Sequence, residues 1–128
     1  MRRTVGASGP LPADQAWERY AVLAAWSSWA PQISRVDATS ARLMPGLTGM
    51  VHGPLGVRVP FEVLAVDEVR REWTWRVRAA LVTLELVHAV RARQGGGADT
   101  TLEVTGPAAV VLAYAPVAQL ALRRLVRP

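Results

Sequence analysis

The middle of the chain alternates with a period of two, and its last part carries an apolar helical pattern. Val57, Val59, Phe61, Val63 and Ala65 alternate with Arg58, Pro60, Glu62, Leu64 and Val66. Trp73, Trp75 and Val77 alternate with Glu72, Thr74, Arg76 and Arg78. Val82, Leu84, Leu86, His88 and Val90 form a third apolar set, and Leu102 and Val104 a fourth. Such alternation predicts strands with one dry and one wet face. Turn residues fall at Asp67–Arg70, Ala79–Ala80 and Gly95–Asp99, and links this short predict an antiparallel meander. From Ala108 to Leu122 no residue is charged. At the helical period Val111, Tyr114, Ala118, Ala121 and Leu125 share a face, with Gln119, Arg123 and Arg127 roughly opposite. This run falls short of the ~20 apolar residues of a membrane span, so it predicts a helix laid on the dry face of the sheet. Pro107 suits the first helical turn, and Pro116 is expected to bend the helix from its outer side.

The first half is less regular. Thr4–Ser8 predicts a short first strand, closed by Gly9 and Pro10. Ala13–Ala24 predicts a helix with Trp17, Tyr20, Ala21 and Ala24 on one face. Trp26–Ala30 predicts a second short helical piece, stopped by Pro31. Arg35–Leu43 and Met50–His52 are weaker strand patterns, separated by a loop at Pro45, Gly46 and Gly49.

Composition narrows the chemistry. A chain of 128 residues with 51% apolar content predicts one domain, residues 1–128, with a core large enough to need no metal or disulfide. It has no cysteine, which excludes thiol catalysis, and its two histidines, His52 and His88, lack the carboxylates of a metal site. No cofactor is expected, because neither a phosphate-cradling Gly loop nor a dinucleotide fingerprint is present. The formal charge is +5 and all fifteen basic residues are Arg. They are scattered rather than gathered in a stripe with exposed aromatics, so no nucleic-acid partner is expected. Met1–Gly9 has no apolar signal segment, and the expected compartment is the cytoplasm.

The element order and several motifs resemble the START-like superfamily, also called the polyketide cyclase/dehydrase or SRPBCC superfamily. The matching stretches are Pro12–Trp17 with Trp26–Pro31, the loop Leu43–Gly49, Val59–Val63 with Trp73–Val77, Leu84–His88, and Gly95–Pro107 running into the last helix. The resemblance implies an α+β helix-grip fold. A curved antiparallel sheet of six to seven strands wraps a long C-terminal helix, with two short helices after the first strand. It also implies a cavity for a hydrophobic small molecule between sheet and helix.

Alternation places Phe61, Val63, Trp73, Trp75, Leu84, Leu86 and Leu102 on the dry face, with Tyr114 and Ala118 facing them from the helix. These are the candidate ligand-binding residues of a carrier or binding protein. His88 is the ionisable side chain that alternation puts inside, which makes it a candidate acid/base, with Tyr114 as a candidate hydrogen-bond donor. That alternative is a polyketide cyclase or dehydratase. The strand arginines Arg58, Arg76, Arg78, Arg91 and Arg93 point outward, away from where a cyclase of the resembling superfamily would hold a polyketide chain. A third reading uses Leu112, Ala113 and Leu120, on the outer side of the last helix, as a homodimer contact.

Overall fold

In the computed structural model, which describes residues 1–128, the strands are β1 (Arg2–Gly9), β2 (Arg35–Ala38), β3 (Thr48–His52), β4 (Arg58–Asp67), β5 (Glu72–Ala79), β6 (Val82–Ala92) and β7 (Ala98–Thr105). The helices are α1 (Ala13–Ala21), α2 (Trp26–Trp29) and α3 (Ala108–Leu125). All strand pairs are antiparallel, in the order β1-β7-β6-β5-β4-β3-β2. The expected meander is therefore present from β2 to β7, and β1 closes onto its last strand.

The register follows the alternation. Trp73 and Trp75 are 1% and 7% exposed, with His88 and Leu86 as their partners on β6. On the other face Arg58, Arg78, Arg91 and Arg93 are exposed, and Arg76 lies 3.9 Å from Glu85. Burying an unpaired guanidinium costs far more than a solvated cross-strand pair contributes, so the charges fix which face is wet.

β4 departs from its predicted phase. A bulge between Val63 and Ala65 shifts the pairing, so Val66 rather than Ala65 packs against the core, opposite Trp73. One extra residue in the strand reverses every side chain after it.

Tertiary pairing also moves three boundaries. β1 begins at Arg2 because its whole length pairs with β7, so even the exposed Arg2 and Arg3 join the ladder. α1 stops at Ala21 instead of Ala24, where Val22 turns extended and bridges Arg42. Leu43 N–H donates to the Ala21 carbonyl at 2.8 Å, and Leu23 N–H to Ala41 at 3.1 Å. Those bonds take residues 41–43 out of the expected strand, so β2 ends at Ala38.

α3 covers the β1 and β7 side of the sheet and meets α2. Its inner face holds Val111, Ala118, Ala121 and Leu125 as expected, together with Ala115 and Leu122. Gln119, expected outside, turns to the sheet edge and donates to the Gly6 carbonyl. The helix is continuous through Pro116, which lies on its exposed side and has no N–H to give to the Leu112 carbonyl. Arg19 of α1 holds the helix C-terminus, reaching the carbonyls of Arg124, Leu125 and Arg127 at 3.1, 3.1 and 2.6 Å. A cation beside these carbonyls at the helix end opposes the negative end of the helix dipole. At the same corner β1 passes so close beneath α3 that a side chain at Gly9 would meet the Val126 carbonyl.

By length and composition, 18 residues of mean hydropathy 1.3, α3 meets the requirement for a membrane span that its uncharged run alone fell short of. Here its inner stripe is committed to the sheet.

Candidate functional site

Large aromatic side chains fill the middle of the grip. Trp26, Phe61, Trp73 and Trp75 pack with ring centroids 5.2 to 5.7 Å apart, and Tyr20 joins through Trp73 and Trp29. Trp26 and Trp29 anchor the cluster by donating to the Tyr20 and Arg19 carbonyls at 2.8 and 2.9 Å. The space they leave is divided. A void of about 20 Å³, room for a single water, lies between this cluster and α3. A larger cavity of about 300 Å³ lies toward the β5–β6 hairpin and the N-terminus of α3. That volume is at the lower end of the range for small-molecule sites.

The larger cavity has walls of small aliphatic residues. Val59 comes from β4, Trp75 and Val77 from β5, Leu84 and Leu86 from β6, and Val110 and Tyr114 from the first turns of α3. Val51 and Ile33 close the side next to β3. Pro54, Val57 and Ala79, all exposed, stand at its opening. Beside them Leu55 and Leu81 project fully into solvent.

No charged residue lines this cavity; its polar side chains are Gln32 and Tyr114. Gln32 Nε2 donates to the Tyr114 hydroxyl at 3.5 Å, a long contact. Gln32 Oε1 is buried with no partner. Burial pushes the Tyr114 hydroxyl's pKa above its ordinary value, so it stays protonated.

His88 sits elsewhere. It borders the small void, not the larger cavity. Trp73 stacks on its ring at 4.6 Å and 10°, and the Tyr20 ring meets it edge-on at 4.9 Å. Trp75 Nε1 donates to His88 Nε2 at 3.0 Å, which assigns the proton of the neutral ring to Nδ1, and Nδ1 has no partner. Burial lowers the pKa from 6.5 to about 3. A group that stays neutral through the physiological range, with its one basic nitrogen already accepting, is poorly suited to proton transfer.

Among the expected ligand residues, Trp75, Leu84, Leu86 and Tyr114 line the larger cavity. Trp73, Leu102 and Ala118 reach only the small void, and Phe61 and Val63 border neither. The reason is bulk: the aromatic residues that mark the dry face occupy it, and the open volume falls where side chains are small. Ala118 is 1% exposed, so a larger residue there would overpack the core instead of filling a ligand site. Val59 and Val77 were already on the dry face by alternation. Gln32 carries no periodic signal; it follows Pro31 in a linker, and only the folded chain brings it under Tyr114.

A seven-stranded antiparallel sheet gripping one long C-terminal helix, with an apolar chamber between them, defines the helix-grip class. The chain belongs to the family described as polyketide cyclase/dehydrase and lipid transport, which matches residues 4–128. Solved structures agree on the fold. The crystal structure of Ara h 8.0201 is 14% identical, with a TM-score of 0.76 over 98% of this chain and 94% of that one. An uncharacterised protein from Bacillus thuringiensis is 15% identical, with a TM-score of 0.81 over 98% and 96%. A protein from Nitrosospira multiformis is 12% identical, with a TM-score of 0.81 over 98% and 94%. No curated protein sequence matches the chain.

Proposed function

We propose that this protein binds a small hydrophobic molecule in the 300 Å³ cavity, as a carrier or binding protein. The observation that carries the reading is an apolar chamber with no charged side chain in its walls, opening between Pro54, Val57 and Ala79. Desolvating the aliphatic walls favours an apolar guest at about 25 cal/mol per Å² removed from water. The position of His88 favours binding over chemistry, since Trp75 stands between its Nε2 and the chamber and its pKa is about 3.

Titration with an apolar fluorescent dye tests this reading. Saturable binding with one site per chain is expected, and His88→Gln should leave the dye affinity within about threefold, because Gln can still accept from Trp75. A wild-type protein that gives no saturable dye signal would count against the reading. Turnover of a polyketide-like substrate that disappears in His88→Gln would favour the cyclase alternative.

A further inference from the structure

We infer that the end of the fold around the cavity mouth docks on an anionic lipid surface, with Leu55 and Leu81 entering the apolar layer and Arg58 and Arg78 set against the headgroup phosphates. The inference goes beyond the proposed binding role, because docking needs no guest in the chamber.

Leu55 lies on the link between β3 and β4, and Leu81 at the tip of the β5–β6 hairpin. Both are fully exposed, so neither packs on the rest of the chain. Leu55 has φ 58° and ψ 31°, and Ala80, just before Leu81, has φ 56°. Both turns therefore hold a non-glycine residue in the costly left-handed region, and both carry a leucine that gains no packing there. Pro54, Val57 and Ala79 are exposed beside them and frame the opening of the apolar chamber. Exposed apolar side chains gathered at one place mark an interaction surface. A fluid apolar layer closes around such projecting tips, whereas a protein partner would need a matching hollow for each.

The charge around the mouth has one sign. Phe61 pairs with Val77, which brings the start of β4, with Arg58, beside the end of β5, with Arg78. Residues 53–58, 78–83 and 105–110 contain these two arginines and no acidic residue. Both arginines are exposed, and neither forms an ion pair. The acids further along the same strands, Glu62 and Glu85, flank Arg76 instead. At the opposite end of the sheet the arginines are matched, Arg91 with Glu72 and Arg93 with Asp99. Free cations beside projecting apolar side chains match a surface with phosphates above and hydrocarbon beneath.

Co-sedimentation with vesicles of phosphatidylcholine, either pure or carrying about 30% phosphatidylserine, tests this. Wild type should bind the anionic vesicles about tenfold more tightly than the neutral ones, and raising the salt should weaken that binding. Leu55→Asn combined with Leu81→Asn should bind about tenfold more weakly. Asn tolerates the left-handed backbone and both sites are in water, so the thermal melt should match wild type. Arg58→Gln combined with Arg78→Gln should lose about tenfold on the anionic vesicles and little on the neutral ones. Leu112→Asn combined with Leu120→Asn, on the outer face of α3, should bind as wild type does. Equal binding of wild type to the two vesicles, binding to neither, or a loss confined to the α3 variant would overturn the inference. Dye titration without vesicles reads the chamber separately, so a protein that takes the dye but ignores vesicles would overturn docking and keep the binding role.

Discussion

Lowering the pH from 6.5 to 3 is expected to destabilise the protein by roughly 4 kcal/mol through His88 alone. Burial holds the folded-state pKa near 3, against 6.5 for an unperturbed imidazole. Well above pH 6.5 the ring is neutral in both states and contributes no pH dependence. Below it the unfolded chain binds a proton that the folded chain refuses, so stability falls by about 1.4 kcal/mol for each pH unit. The loss ends near pH 3, where the folded ring also protonates. For a protein whose whole stability is ~5–15 kcal/mol, this is a large share. Urea unfolding of wild type and His88→Gln at several pH values measures it. The variant, with no imidazole to charge, should lack most of this slope, whatever its stability at pH 7. Parallel pH profiles would show that His88 does not stay neutral in the folded state.

The second large effect concerns the chamber. Val110 sits in the first turn of α3, half-buried, with its side chain on the cavity wall. Val110→Trp should direct an indole into the 300 Å³ space without displacing the aromatic cluster behind Trp75. Affinity for an apolar guest is expected to drop by ~100-fold or more, since the volume and the apolar wall are both taken. The fold should survive, because the added rings enter empty space rather than a packed core. Isothermal calorimetry with decanol, beside thermal melts of both proteins, checks both parts. Unchanged affinity would put the guest elsewhere.

The fold was largely legible in the sequence because burying charge is expensive and strand alternation is strict. Trp73 and Trp75 against Arg76 and Arg78 determine the sheet's face, and the family resemblance carried the helix-grip topology. What escaped depends on contacts distant in sequence. Residues 41–43 pair with the end of α1, which no local propensity announces. The β4 bulge leaves both Ala65 and Val66 apolar, so pattern alone cannot tell which one turns inward. The candidate site was read only in part. Its polar end joins Gln32, in a linker, to Tyr114, 82 positions further on. Alternation marks the dry face but not where it is hollow, and bulky side chains fill space that small ones leave open. Val51, Val59, Val77 and Val110 therefore line the chamber that Phe61 and Val63 were expected to line.

The central claim, that a hydrophobic guest occupies the chamber between the β5–β6 hairpin and the first turns of α3, is tested most directly by amide chemical-shift mapping. The protein is titrated with decanol and the shifted resonances are placed on the fold. Shifts should concentrate at Ile33, Val59, Val77, Leu84, Val110 and Tyr114, with the exposed outer face of α3 at Leu112, Val117 and Leu120 unmoved. Shifts confined to that outer face, or none at saturating decanol, would contradict the account.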